Sequence, residues 1–267
     1  MELPDKLNSL LAAIRPLRSV VVAFSGGVDS ALLLDVCREA LDGRVLAATV
    51  VSPLSPLGEP ALAADVARKI GVRHRVIPGR AMADPAFIEN ASGRCYVCKS
   101  LMFADLLGLA AEEGLQHVVH GANLDDGNDF RPGMRAAREM HVPAPLATVG
   151  LTKADVRELA RQRGLSVWNR PQAACLATRI PYGTPISEDL LRRIGNAEAL
   201  VAEMGLTQFR VRHHGSCARI EAPLQEIGRL FADGARQDLV ERLHALGYAY
   251  IAVDLEGYVA GGMNRVR

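Results

Sequence analysis

The chain has little net charge, no long apolar run and no even complement of cysteines, and each absence closes a class of function. Its 31 Lys and Arg against 30 Asp and Glu leave a formal net charge of +1, so nothing supports a broad electrostatic footprint for nucleic acid and only a local patch could engage one. No segment is apolar over the roughly 20 residues that a membrane helix needs. The start, Met1-Glu2-Leu3-Pro4-Asp5-Lys6, lacks the basic region of a secretory signal, so a cytoplasmic protein without a membrane partner is expected. The five cysteines, Cys37, Cys95, Cys98, Cys175 and Cys217, are an odd number with no signal, which describes no disulfide framework. Thiol, metal ligand and nucleophile remain open to them. What is present is ordinary in amount: 267 residues, 49% apolar and 23% charged, enough for one large domain or two unequal ones with a proper core.

The most informative stretch runs from Val20 to Ser30. Val20-Val21-Val22-Ala23-Phe24 reads as a strand buried on both faces, and Ala31-Leu32-Leu33-Leu34 with Val36 and Cys37 as the apolar side of a helix starting near Asp29. Between them lies Ser25-Gly26-Gly27-Val28-Asp29-Ser30. Gly26 and Gly27 let the backbone approach a ligand, Ser25 and Ser30 add hydroxyls, and the helix N-terminus offers unpaired N–H groups to an anion. This is a phosphate cradle, yet it has neither the Gly-x-Gly-x-x-Gly of dinucleotide folds nor the lysine of a P-loop. Asp29, a carboxylate in an anion site, makes chemical sense as a Mg²⁺ partner. The stretch resembles the pyrophosphate loop of the N-type ATP pyrophosphatases (PP-loop superfamily), whose signature is Ser-Gly-Gly-x-Asp-Ser. That resemblance implies ATP split between its α and β phosphates, with AMP moved onto an acceptor.

Around this unit, strand and helix patterns alternate. Leu3 to Leu17 reads as an amphipathic helix, Val45 to Val51 as a second buried strand, Glu59 to Gly71 as a helix, Arg73 to Ile77 as a strand and Val118 to His120 as another. Alternation predicts an α/β fold with a doubly wound parallel sheet. Arg94-Cys95-Tyr96-Val97-Cys98-Lys99 is read as an approach to a helix resuming at Leu101, and Phe130 to Met140, with Arg131, Arg135 and Arg138, as a partly solvated helix. The strand end Gly121-Ala122-Asn123-Leu124-Asp125-Asp126 suits a turn and equally suits Mg²⁺ and a nucleotide. Thr152 is placed to cap a helix running to Gly164, and Ser187 one running to Gly205. From Trp168 to Ile186 the period is lost while the only tryptophan, Cys175, Arg170 and Arg179 are carried, a combination more typical of function than of filler. Phe209 to His213 and Ala218 to Glu221 read as a hairpin, followed by two helices between Leu224 and Leu246 and a last strand from Tyr248 to Val253. The expected organisation is residues 1–186 as the PP-loop domain and 187–267 as a smaller α+β domain for substrate binding and oligomerisation.

Later blocks narrow the resemblance. Gly121 to Asp126, Arg131 to Arg135, Cys175-Leu176-Ala177-Thr178-Arg179-Ile180-Pro181-Tyr182-Gly183 and Arg210-Val211-Arg212-His213-His214-Gly215 are similar, in order and over essentially the whole chain, to the LarE-type ATP-dependent sulfur transferases. The resemblance implies adenylation of a carboxylate of pyridinium-3,5-biscarboxylic acid mononucleotide and its conversion to a thiocarboxylate, a step toward the nickel-pincer nucleotide of lactate racemase. It implies ATP and Mg²⁺ at Ser25, Gly26, Gly27, Asp29, Ser30, Gly121, Asn123, Asp125 and Asp126. Arg210 and Arg212 alternate on a strand and so share a face, matching arginines the family uses for the substrate phosphate, with Arg179 assisting. Glu198 and Glu221 match acidic positions near that site and equally suit solvated charges.

The sulfur source is left open by the residues. In the simplest members a cysteine matching Cys175 gives up its own sulfur and becomes dehydroalanine. Here Cys95 and Cys98 join it, and the resemblance to three-cysteine members implies a [4Fe-4S] cluster on Cys95, Cys98 and Cys175 whose open iron carries sulfide. A redox dithiol or half of a zinc site is the other reading of Cys-x-x-Cys. Neighbouring functions are a tRNA-thiolating enzyme, which the charge of +1 supports poorly, a small-molecule desulfidase, and a nucleotide-binding sensor. The partners expected are a small nucleotide substrate, sulfide or another sulfur donor, and further copies of the chain in a homo-oligomer; nucleic acid is not expected.

Overall fold

A computed structural model describes residues 2–128, 132–232, 234–259 and 262; Phe130 and Arg131 of the arginine-bearing stretch lie outside the described residues. The chain divides into two compact units: Met1–Ser52, Gly58–Phe87 and Gly93–Ala173 form the first, and Pro53–Leu57, Ile88–Ser92 and Ala174–Arg267 the second.

In chain order the first unit is built from α1 (Leu3–Ile14), β1 (Val20–Ala23), α2 (Val28–Ala40), β2 (Val45–Val51), α3 (Glu59–Ile70), β3 (Arg73–Pro78), the one-turn α4 (Pro85–Ile88) at its border, α5 (Arg94–Glu112), β4 (His117–His120), α6 (Pro132–Glu139), α7 (Pro145–Thr148) and α8 (Lys153–Gln162). Among the described residues, its sheet has four parallel strands in the order β3-β2-β1-β4. Strands β1 and β2 lie inside, which is why they are nearly continuous in valine, leucine and alanine. β3, at the edge, is polar, and its Arg73 and Arg75 both pair with Glu113.

Each face of this sheet carries its own core. Val20, Val22, Val45 and Ala47 pack with residues of α1, α2, α3 and α8, whereas Val21, Leu46, Ala48 and Val118 pack with Phe103, Leu106 and Leu109 of α5 and Ala136 and Ala137 of α6. Period-two alternation in the strands sends neighbours to opposite faces, and helices cover both. The doubly wound parallel α/β sheet is therefore as the alternation predicts. Because the chain builds from β1 through β2 to β3 on one side and then returns to place β4 on the other side of β1, the order reverses between β1 and β4. At such a reversal the loops beyond the strand ends diverge and leave a crevice for a ligand.

Two local expectations change. Helix α5 starts at Arg94, so Cys95 and Cys98 lie inside its first turns and not ahead of it. Tyr96, Phe103 and Ala110 are spaced by seven and all pack in the second core, so the apolar face continues back through the cysteine motif. In the second unit, one α-helix and a 3₁₀ turn, Ile227–Phe231, replace the two expected helices.

The second unit contains α9 (Glu188–Glu203), β5 (Arg210–His214), β6 (Cys217–Glu221), α10 (Ala235–Ala245) and β7 (Tyr250–Val253). β5 and β6 form the expected antiparallel hairpin, and β7 joins β6 in parallel. Val211, Ala218 and Ile220 face a core with α9 and α10, so the alternate residues Arg210, Arg212, Arg219 and Glu221 share the opposite face. The aperiodic stretch before α9 buries Leu176, Ile180 and Ile186 and is also held by backbone and amide bonds: Leu176 N–H donates to the Leu54 carbonyl, Ile186 N–H to that of Ile88, and Asn90 Nδ2 to the Pro181 and Thr184 carbonyls. Among the described residues, no helix is long and apolar enough to cross a membrane.

Candidate active site

The first unit brings Ser25 to Ser30 and Gly121 to Asp126 to the β1/β4 crevice. Gly26 has φ +75° and a Cβ there would lie 2.8 Å from the Ala63 Cα, so both its conformation and its packing on α3 require glycine. Gly27 is the N-cap of α2 and supplies no side-chain cap, which leaves the first-turn N–H groups to other partners. Ser30 Oγ donates to the Gly27 carbonyl at 3.1 Å, and the Ser25 and Ser30 hydroxyls lie 3.2 Å apart, closing the turn on itself. At the end of β4 a Cβ on Gly121 would stand 2.9 Å from the Ser30 nitrogen, so glycine permits this strand end to meet the start of α2.

That approach assembles a charged constellation. Asn123 Nδ2 donates to Asp29 Oδ1 at 2.9 Å, and Lys153 Nζ donates to Asp29 Oδ2 at 2.5 Å. The turn after β4 is braced by Asn123 N–H on Asp126 and Asp125 N–H on Asn123 Oδ1, each at 3.0 Å, and Lys153 N–H donates to Asp125 at 2.8 Å. Every residue expected at the ATP site in this unit is thus local to one crevice. Lys153 is the residue that sequence reasoning missed. It stands just inside a correctly placed cap, Thr152, but nothing in its neighbourhood signals that its ammonium reaches a carboxylate 124 positions away. Next to the crevice, burial and then Lys99 lower His120 to about 4, so this imidazole is neutral at ordinary pH.

The second unit gathers Cys175, Arg179, Glu198, Arg210, Arg212 and Glu221. Arg179 is 1% exposed and grips Glu198 with two parallel bonds of 2.9 Å, while its Nη1 donates to the Ala174 and Cys175 carbonyls at 2.8 and 3.1 Å. Glu198 also accepts the Val211 N–H, so it is no solvated charge; it ties α9 to β5 and to the cysteine turn. Arg212 donates to Glu221 at 2.6 Å and to the Thr178 carbonyl at 3.0 Å. Arg210 lies over the Tyr258 ring, and burial, then the guanidinium of Arg179, lowers its pKa from the usual arginine value. A cation in that position gains from an arriving anion. Beside this net, a cavity of about 390 Å³ is bordered by Tyr182, His214, Arg219 and Glu221.

The cysteines separate in kind. Burial pushes the Cys37 thiol up, as expected for a core residue, and Cys217 opens strand β6 opposite His214. No disulfide joins the five. Cys95 and Cys98 belong to the first unit and Cys175 to the second. Among the described residues no group of three or more His, Cys, Asp or Glu side chains is placed to hold a metal ion. For a [4Fe-4S] cluster, the first unit therefore offers two thiol corners on one helix and the fit stops there. For Mg²⁺ the donor set is adequate, since that ion commonly takes one or two carboxylates and completes its shell with phosphate oxygens and water.

No family model matches the chain. It is 38% identical to an uncharacterized protein of Synechocystis sp. over 99% of this chain and 98% of that one. It is 33% identical to the pyridinium-3,5-bisthiocarboxylic acid mononucleotide synthase of Lactiplantibacillus plantarum over 98% of this chain and 95% of the enzyme. A shorter match, 29% identical over 55% of this chain and 40% of the other, is to the argininosuccinate synthase of Methanothermobacter thermautotrophicus.

Proposed function

Because the chain belongs to the LarE-type family of ATP-dependent sulfur transferases of the PP-loop superfamily, we propose that it adenylates a carboxylate of pyridinium-3,5-biscarboxylic acid mononucleotide and exchanges the AMP for sulfur, forming a thiocarboxylate in the cytoplasm. The observation that carries this reading is the crevice where Asp29, Asn123 and Lys153 meet behind the Ser25–Ser30 turn.

A carboxylate is a poor electrophile, so a carboxylate oxygen of the acceptor attacks the α phosphorus of ATP and the bond to the pyrophosphate oxygen breaks. The N–H groups at the start of α2 and the Ser25 and Ser30 hydroxyls receive the pyrophosphate, and the Lys153 ammonium, already in the crevice, offsets its negative charge. Asp29, with Asp125 or Asp126, would hold Mg²⁺, which when bound neutralises charge on the phosphates. A sulfur nucleophile then attacks the acyl carbon and AMP leaves with the bonding pair. Arg210 and Arg212, on one face of β5, hold the acceptor phosphate, and Arg179 and Glu198 keep the Cys175 turn in shape. This assigns substrate binding to the C-terminal domain, which we also propose as the contact surface of a homo-oligomer.

For the sulfur we propose that Cys95, Cys98 and Cys175 would be the thiolate ligands of a [4Fe-4S] cluster that would supply sulfide when bound; what supports this is the three-cysteine residue pattern alone, and the adenylation chemistry above does not depend on it. Sacrifice of the Cys175 sulfur is the competing supply. Incubation with ATP, Mg²⁺, the biscarboxylic mononucleotide and sulfide should yield AMP and pyrophosphate in equal amounts with a thiolated product. ADP and orthophosphate would overturn the proposal.

A further inference from the structure

We propose that Lys6, on the N-terminal helix, is a positioning residue for the phosphate site: it holds Lys153 on Asp29 by way of the capping box of α8. The proposal rests on the adenylation reading above and deepens it. Lys6 Nζ donates to Asp155 Oδ2 at 2.6 Å, and the two side chains are only 18% and 22% exposed. A lysine on the flank of an amphipathic helix ordinarily keeps its ammonium in water. This one is spent on a carboxylate oxygen that is already engaged. The same Oδ2 accepts the Thr152 N–H at 2.9 Å and the Thr152 hydroxyl at 2.8 Å, while Asp155 N–H donates back to Thr152 Oγ1 at 3.2 Å.

That reciprocal pair sets the first turn of α8, and the next residue after Thr152 is Lys153. Its N–H bonds Asp125 and its ammonium bonds Asp29. Leu124 N–H donates to the Leu151 carbonyl at 2.8 Å, which ties the acidic turn to the residue just before the α8 cap. Three short links, Lys6 to Asp155, Asp155 to Thr152 and Lys153 to Asp29, thus connect α1 to the anion site. Burial would raise the Asp155 pKa, but the hydrogen bonds of Lys6 and then Thr152 outweigh it and keep this carboxyl below its usual range. Anchoring of α1 does not need Lys6, because Leu10 and Ile14 of that helix are fully buried in the first core.

The test is the ATP–pyrophosphate exchange rate with the biscarboxylic mononucleotide as acceptor, measured on the full chain for Lys6→Met, Lys6→Arg, Lys153→Met and the double variant Lys6→Met/Lys153→Met. Lys6→Met should lower kcat about tenfold with KM for ATP within about twofold, because a misplaced ammonium loses transition-state charge more than ground-state binding. Lys6→Arg should restore the rate. Adding Lys6→Met to Lys153→Met should cost nothing further, since residues acting through one contact are not additive. A wild-type kcat in Lys6→Met, or a full additional loss in the double variant, overturns the proposal while leaving adenylation standing. No exchange by the unaltered chain would overturn adenylation, and this inference with it.

Discussion

Lys153 Nζ rests 2.5 Å from Asp29 Oδ2, although the residues are 124 positions apart, and Asn123 holds the other oxygen of the same carboxylate. A side chain expected to meet a metal ion is thus poised between an amide and an ammonium. Asp29→Asn keeps the shape and removes the charge. It should abolish AMP formation, measured by chromatography of the nucleotides, with a stability change below about 1 kcal/mol, as for other partly exposed sites.

The two strand arginines should differ in a way the sequence pattern does not show. Arg210→Ala should weaken binding of the phosphorylated acceptor, read by calorimetry, by about 1.5 to 3 kcal/mol, the range for a charge-assisted hydrogen bond. Arg212→Ala should add a stability loss of about 3 kcal/mol in denaturant titration, because it leaves Glu221, 2% exposed, as a buried carboxylate deprived of its closest partner. Normal acceptor binding by both variants would place the phosphate elsewhere.

The sulfur supply is decided by mass and metal analysis. Anaerobic reconstitution with iron and sulfide should load the chain with both, Cys95→Ala should lose them, and the protein mass should be unchanged after repeated turnover with sulfide. A metal-free chain that instead loses the mass of H₂S at Cys175 after one turnover would establish sacrificial transfer.

His120 makes stability depend on pH. Its folded pKa lies near 4, against 6.5 unperturbed, because it is buried and faces Lys99. Below 6.5 the unfolded chain takes a proton that the folded chain refuses, so this contribution is fully present above pH 6.5 and is lost as pH falls toward 4. The loss should reach about 2 to 3 kcal/mol. His120→Gln should flatten that part of the difference in unfolding free energy across pH 4 to 6.5; an unchanged slope would show that the imidazole titrates normally.

How much of this was legible in the chain follows from the range of the forces involved. The valine strand, the Ser-Gly-Gly turn and the Thr152 and Ser187 caps could be read because each is specified by neighbouring residues: a burial pattern of period two, a backbone that needs glycine, a hydroxyl within reach of the N–H three residues on. The early start of α5 is carried by the seven-residue spacing of Tyr96, Phe103 and Ala110, a face whose first member lies inside the cysteine motif. Partner choice between distant side chains is another matter. Arg179 and Glu198 each stand out in the sequence, yet their pairing, and the pairing of Lys6 with Asp155 across 149 positions, depend on how β5, α1 and α8 pack against their neighbours. The sequence determined by itself which elements form and what anion chemistry the first turn suits. Only the tertiary structure decided which cations stand in that crevice and which are buried against carboxylates, because long charged side chains take whatever partner the chain crossing brings within about 3 Å.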